Sequence, residues 1–477
     1  MKSLNRIQIG RALVLPLFLA VDFIPMDLER IQHRLLAIVV AVVCLWVTEA
    51  LPIAVTALLI APLMIVGGVT DPKTAFAPYA DPLLFLFYGS FFIAAAMQRH
   101  GLDRRIASAI VESNFVAGKA VRARIALMAA GLLLSMWVSN TAATAILIPI
   151  LMGMLTAPAV TSLPSHVRQA ATVGGLLSIA YACSMGGMGT LVGTPPNLIA
   201  VRMLKEVGIS LSFLEFSMVG LPSALLLTLV VYGLFAKRYP APAVVTPPPT
   251  HARSAMSRGE RLTALSLGCA VLGFVVPPTL SALQLPGAVT IGRMFPTSAV
   301  AMLAAGMLFW LQDDDGQPVL PWPEALKVDW GLIMLFGGGI SLGSQMFETG
   351  LADALGRGFI ALTGVSDLWT LTALAIGFTI FFTEVCSNTA TANMVIPLVL
   401  GVTSEMRVSP VPPVLGVALA ASCAFMMPIS TGPNAIVYGT GQIPLPIMMR
   451  VGVMLNVLCG IALFAVLRVL CPLYGWD

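Results

Sequence analysis

The sequence predicts an all-α polytopic membrane protein, with about eleven transmembrane helices and two re-entrant hairpins in two inverted repeats. Three observations carry that reading. Of 477 residues, 58% are hydrophobic and only 10% charged, where a soluble domain carries roughly a quarter charged residues. Two long apolar regions are each interrupted near the middle by Ser-Asn-Thr. A set of motifs in the first half recurs, in the same order, in the second.

So few charges cannot clothe a water-facing surface, so lipid is the main solvent. The net charge of +4 is small and dispersed, which argues against a nucleic-acid partner. The seven cysteines (44, 183, 269, 386, 423, 459 and 471) form no CxxC pair and read as ordinary buried thiols. Lys2, Arg6 and Arg11 precede an apolar run as in a signal peptide. No A-x-A cleavage site follows and many spans do, so a retained first span is expected.

Apolar stretches of spanning or near-spanning length lie near 12–25, 35–50, 53–68, 83–98, 170–200, 213–236, 261–280, 294–311, 330–347, 411–440 and 446–470. The regions 122–157 and 367–406 differ, because Ser-Asn-Thr breaks each of them; that pattern suits a hairpin that enters the membrane and turns back. Basic clusters at Lys2–Arg11, Arg99–Arg124, Arg168 and Lys237–Arg261 are expected on the cytoplasmic side, leaving Lys73, Arg293, Arg357 and Arg407 outside. This makes the amino terminus cytoplasmic and, with an odd number of spans, the carboxyl terminus external. The plasma membrane is the expected location, or the inner membrane for a Gram-negative source. Residues 237–260, with Pro240, Pro242 and Pro247–Pro249, read as a cytoplasmic linker between repeats 1–236 and 261–477. Asp313–Asp315 reads as a solvated loop, since it has no distant ligand partner.

The duplication is offset by about 249 positions. Leu86-Phe87-x-Gly89, followed by Gly101-Leu102, recurs as Leu335-Phe336-x-Gly338 with Gly350-Leu351. Ser139-Asn140-Thr141-Ala142 before Ile148-Pro149 recurs as Ser387-Asn388-Thr389-Ala390 before Ile396-Pro397. Gly193-Thr194-Pro195-Pro196-Asn197 has a weaker echo in Ser430-Thr431-Gly432-Pro433-Asn434. The first of these lies in the broken stretch at about 170–204 and the second in that at about 411–440. Inverted repeats of this kind are the usual framework of secondary transporters.

A Ser-Asn-Thr turn at membrane depth exposes backbone groups that only protein, water or a ligand can satisfy. Amino-terminal helix ends with Asn or Thr can donate to a carboxylate, while carbonyl and hydroxyl oxygens can hold a small hard cation such as sodium. Small polar residues also permit close helix packing, but two copies, each paired with a Pro-Asn break, favour a site. No Lys or Arg occurs in 125–156, 170–201, 367–406 or 411–445. A dianion held there lacks a fixed cationic side chain, and helix ends of about half a charge each offset only part of its desolvation. Mobile cations are the natural remainder. Glu384 either biases the site toward cations or accepts hydrogen bonds from helix ends.

These paired motifs resemble the divalent-anion/sodium symporter family, over nearly the whole chain. The resemblance implies a homodimer with an elevator mechanism, in which scaffold helices at about 12–120 and 261–360 flank a moving transport domain. It implies substrate contacts from Ser139, Asn140, Thr141, Ser387, Asn388 and Thr389, with Thr194, Thr431 and Gly432 at the helix breaks. It implies at least two sodium ions, one at Ser135, Ser139, Asn140 and Gly193 and one at Thr383, Cys386, Asn388 and Ser430. Cys386 would contribute only its backbone carbonyl. Gly432 stands where the family often has proline, which would loosen that break. Intact Ser-Asn-Thr in both halves resembles members that prefer dicarboxylates over citrate.

The expected function is therefore sodium-coupled symport of C4 dicarboxylates such as succinate, fumarate or malate. A sodium-independent exchanger of the same fold is the nearest alternative, and an elevator exporter of amphipathic or oxyanion substrates a more distant one. A channel fits a closed binding site less well than alternating access does. An enzyme is not expected: the four histidines (33, 100, 166 and 251) form no HExxH, and no GxSG or P-loop occurs.

Overall fold

The computed structural model describes residues 6–156, 158–239 and 255–477, with the side chains of residues 158 and 159 excluded. Among these residues the secondary structure is helical, apart from one isolated bridge between Gln312 and Pro318. Residues 240–254 of the expected linker lie outside the described residues. Its two ends are helical, closing Phe213–Arg238 and opening Arg258–Ala282.

Among the described residues seven helices are long and apolar enough to cross a membrane, or up to nine if two bent pairs each count as one span. The stretch at 294–311 belongs to a bent pair, Ala288–Met294 with Thr297–Trp310, turned by 56°. Ile53–Val66 and Val411–Ala420 are apolar but shorter. The expected span at 411–440 is two short helices, Val411–Ala420 and Gly432–Gly439.

The element order repeats. Each half carries long helices, then a hairpin, then a broken helix, then a long closing helix. The first hairpin is Ala120–Ser135 and Asn140–Leu155; the second is Leu368–Phe382 and Asn388–Met406. The broken helices are Ser165–Gly186 with Pro195–Glu206, and Val411–Ala420 with Gly432–Gly439. The closing helices are Phe213–Arg238 and Leu445–Leu473.

The two halves interlock. Pro195–Glu206 packs against the second arm of the second hairpin, and Gly432–Gly439 packs against the second arm of the first. Ser165–Gly186 runs through the middle, buried from Ala171 to Gly186. Tyr181 on it donates to the Phe425 carbonyl at 2.8 Å, so the first broken helix is tied to the break in the second.

Pro82–His100 and Trp330–Glu348 are equivalent in the repeat and meet directly. Tyr88 lies against Trp330, with ring centroids 5.3 Å apart, while Ser341 donates to the Ala75 carbonyl at 2.7 Å. Trp330–Glu348 thus touches both Pro82–His100 and the short helix Pro72–Phe76 that precedes it. The motif glycines explain the closeness of the packing. A Cβ on Gly89 would come within 2.4 Å of the Ala301 carbonyl carbon, and one on Gly338 within 2.4 Å of the Ala57 oxygen. Thr297–Trp310 packs on Pro82–His100 as Ile53–Val66 packs on Trp330–Glu348. Small residues at such crossings let helix backbones approach.

Cys183, Cys386, Cys423, Cys459 and Cys471 are buried as expected, whereas Cys44 is half-buried and Cys269 exposed. Cys269 lies on Arg258–Ala282, whose outer face carries exposed Leu265, Leu272 and Val276. An apolar outer face is the form a lipid-facing surface takes, so a thiol there needs no burial. The acidic run is a turn in which Asp314 and Asp315 are exposed as expected, whereas Asp313 is buried because its carboxylate accepts from the Asp315 and Gln317 amides.

Candidate functional site

Both Ser-Asn-Thr motifs begin a helix. Ser139 is the N-cap of Asn140–Leu155, with φ −57° and ψ 141°, and its hydroxyl accepts from the Ala142 amide at 3.2 Å. Ser387 repeats this for Asn388–Met406, with φ −65° and ψ 146° and a 3.2 Å bond from Ala390 N–H. Serine favours this position because its oxygen satisfies an amide that the first turn leaves free. The two Pro-Asn motifs also begin helices. Thr194 precedes Pro195 and Pro196, and Thr431 precedes Gly432 and Pro433; its hydroxyl accepts from the Asn434 amide at 3.2 Å. Proline suits the first turn, where its missing N–H has no intrahelical partner.

These four helix starts border one cavity of about 810 Å³. Its walls include Ser139, Asn140, Thr141, Gly193, Thr194, Asn388, Thr389, Ser430, Thr431 and Gly432. Each helix start contributes about half a positive charge and free amide donors. Such a cleft can hold an anion with two separated carboxylates.

Ser135, Thr383, Cys386 and Ser387 do not line the cavity. Ser135 and Thr383 are instead buried behind the hairpin tips. The Ser135 hydroxyl donates to Asn140 Oδ1 at 2.7 Å, and the Thr383 hydroxyl donates to Asn388 Oδ1 at 2.9 Å and to the Ala421 carbonyl at 2.8 Å. Each tip therefore backs onto a cluster of uncharged oxygens, the donor set a sodium ion accepts. Among the described residues no group of His, Cys, Asp and Glu could hold a metal.

Glu384 accepts backbone hydrogen bonds. Its Oε1 takes the amides of Phe425 (2.7 Å) and Met426 (2.9 Å) and the Asn456 side chain (2.8 Å), while Oε2 takes Met427 at 3.0 Å. A buried carboxylate with this many donors is stabilised as a ligand for the free amides of a helix break.

Gly432 touches Thr141. A Cβ at 432 would fall 2.0 Å from the Thr141 hydroxyl, so the first hairpin tip and the second break meet through the missing side chain. Glycine at this position therefore serves a close contact between the two motifs, and its effect is to bring the break against the tip.

Sequence reasoning missed Gln98, Arg99, Trp137, Glu324, Lys327 and Asp329, all of which line the same cavity. The hairpins and broken helices carry no cation there, as read, but Arg99 and Lys327 supply positive charge from neighbouring segments. Arg99 stands 4.0 Å from Asp313, and Lys327 is paired with Glu324 at 2.7 Å. Arg99 was legible only as part of a basic cluster, since its place on the cavity depends on how Pro82–His100 packs.

A family model described as Sodium:sulfate symporter transmembrane region matches residues 7–475. The chain is 31% identical over 495 residues to the sodium-dependent dicarboxylate transporter SdcS of Staphylococcus saprophyticus, covering 99% of this chain and 93% of that protein. It is 32% identical over 427 residues to an uncharacterized transporter of Haemophilus influenzae, covering 89% and 88%. Among solved structures, the Alcanivorax borkumensis YdaH transporter superposes with a TM-score of 0.55 at 16% identity, covering 99% of both chains. Neisseria gonorrhoeae MtrF superposes with a TM-score of 0.52 at 13% identity, covering 94% and 96%. At these identities the two structures speak for the fold alone.

Proposed function

Because the chain belongs to the sodium:sulfate symporter family, the divalent-anion/sodium symporters that its motifs resemble, we propose that it carries C4 dicarboxylates across the plasma membrane together with two or more sodium ions. Succinate, fumarate and malate are the substrates proposed. The observation that carries this reading is the convergence of four helix starts on one cavity, with an uncharged oxygen cluster behind each hairpin tip.

In this reading Ser139, Asn140 and Thr141 hold one carboxylate and Ser387, Asn388 and Thr389 the other, with Thr194, Thr431 and Gly432 closing the cleft. Ser387 would act through the cap that orients Asn388 and Thr389, since it does not itself line the cavity. One sodium ion binds among Ser135, Ser139, Asn140 and Gly193, and another among Thr383, the Cys386 carbonyl, Asn388 and Ser430. Both asparagines belong to a cation cluster and to the anion surface, so cation binding orders the anion site. That shared side chain is a physical basis for coupling. The relatives named as sodium-dependent dicarboxylate transporters support this reading.

The protein would work as a homodimer of about eleven spans per chain in inverted repeats, with a cytoplasmic amino terminus. Its transport domain of hairpins and broken helices would move as an elevator against the scaffold helices at about 12–120 and 261–360. The contact of Phe87 with Phe336, equivalent residues of the two repeats, supports a two-fold relation between the halves.

Sodium-independent exchange is the second reading. Arg99 favours it, because its guanidinium lines the cavity with only a 4.0 Å contact to Asp313, whereas Lys327 is offset by Glu324 at 2.7 Å. Calorimetric titration of the purified protein with succinate tests the choice. Binding in sodium chloride that disappears in choline chloride of equal ionic strength supports symport. Equal binding in both salts supports exchange.

A further inference from the structure

Asn197 and Asn434 end the two Pro-Asn motifs, and the binding surface described above uses neither. Both side chains are fully buried. Asn197 Nδ2 donates to the carbonyls of Gly187 at 2.9 Å and Thr190 at 2.7 Å. Asn434 Nδ2 donates to the carbonyls of Ala424 at 2.9 Å and Met427 at 3.1 Å, and to the Ser430 hydroxyl at 3.2 Å. Each amide thus reaches ten and seven residues back, across its own helix break. Equivalent residues in the two halves tie equivalent carbonyls.

The other end of each amide has no partner. Asn197 Oδ1 and Asn434 Oδ1 are buried and accept no hydrogen bond. An unpaired buried acceptor is destabilising, and both halves carry one.

The tied segments are those that carry the proposed cation oxygens. A Cβ on Gly187 would lie 2.6 Å from Asn140 Oδ1 and 3.1 Å from the Gly193 carbonyl oxygen, so the carbonyl that Asn197 holds belongs to the segment packed on the first cluster. In the second half, Asn434 bonds directly to Ser430, one of the proposed ligands.

We propose that Asn197 and Asn434 are positioning residues for the two cation sites, setting the spacing of the oxygens by stitching each helix break from behind. This rests on the sodium-symport reading of the same site. Neither side chain lines the substrate cavity. Losing the stitch therefore loosens sodium binding first and leaves dicarboxylate affinity intact once sodium is saturating.

The test uses Asn197→Ala, Asn434→Ala and the near-isosteric Asn197→Leu and Asn434→Leu in the full chain. Two quantities are read: the sodium concentration that half-saturates thermal stabilisation of the purified protein, and the succinate KM in proteoliposomes at saturating sodium. The expected result is a rise of about fivefold in half-saturating sodium, the scale of one lost hydrogen bond, with succinate KM within about twofold of wild type. If the alanine variants do not fold, the leucine variants, which keep the buried volume, carry the test. Unchanged half-saturating sodium overturns the proposal, as does an equal loss of sodium and succinate affinity, which marks general loosening. A wild-type protein that ignores sodium would instead remove the symport reading on which the proposal rests.

Discussion

Phe87 and Phe336, 249 positions apart in the chain, meet edge to face with ring centroids 5.9 Å apart and planes at 85°. They are the same residue of the two repeats, and equivalent residues touch only near the axis that relates the halves. Phe87 also lines the proposed substrate cavity. The contact between the two repeats therefore borders the proposed cavity.

The glycines two residues beyond these phenylalanines have no room for side chains. Gly89→Leu and Gly338→Leu are each expected to lower the melting temperature, with overpacking costs of about 1–3 kcal/mol or more. The two effects should be similar, because both push a side chain into the backbone of a partner helix. Differential scanning fluorimetry of the purified variants checks this.

Asn140 and Asn388 each join an oxygen cluster behind a hairpin tip to the cavity wall, and so the proposed cation site to the proposed anion site. Asn140→Ala and Asn388→Ala are expected to abolish uptake, a loss of about a hundredfold or more if both a charged-group contact and its coupled cation are lost. Folding should survive, since neither side chain is fully buried. Near-normal uptake by both variants, with size-exclusion profiles like wild type, would remove the site assignment.

Gly432→Ala places a methyl group where the Thr141 hydroxyl sits. It is expected to reduce succinate affinity about tenfold, through displacement of the tip by the ~1–3 kcal/mol of overpacking. Gly439→Ala on the same helix, where a Cβ meets nothing within 4 Å, should leave affinity unchanged. Titration calorimetry on both variants supplies the comparison.

Arg202 joins the first broken helix to the start of Pro82–His100 through Asp81, and it also pairs with Glu206 at 2.6 Å. Both members of the Arg202–Asp81 pair are largely buried. Arg202→Gln leaves the buried Asp81 carboxylate without its cation and costs about 3–5 kcal/mol, whereas Asp81→Asn leaves Arg202 its Glu206 partner and costs less. Asp81→Asn and Arg202→Gln should each lower the melting temperature, and the double variant should lose less than the sum of the two.

The sequence made the two hairpins, the two broken helices and the motif residues legible, because each is marked by a local break in an apolar run. Ser139 and Ser387 occupy the N-cap positions that their residue type favours. Features that arise from packing were not legible. From sequence alone Gly432 reads as a loosened break and Arg99 as a topology signal, while nothing marks Lys327; the contact of Gly432 with Thr141 and the place of both cations on the cavity arise from packing. Glu384 was open between two roles, since the amides of 425–427 that it binds lie some forty positions away. The sequence counts 53–68 and 411–440 as spans, but their helices Ile53–Val66, Val411–Ala420 and Gly432–Gly439 are short, because breaks inside an apolar run do not change its length.

The central claim is coupled uptake, and radiolabelled succinate entry into proteoliposomes tests it most directly. Vesicles would be empty or preloaded with dicarboxylate, with or without an inward sodium gradient. The account predicts accumulation in empty vesicles only when the sodium gradient is present. Uptake only into preloaded vesicles, whatever the sodium concentration, would contradict it and leave the oxygen clusters behind the hairpin tips without a cation to bind.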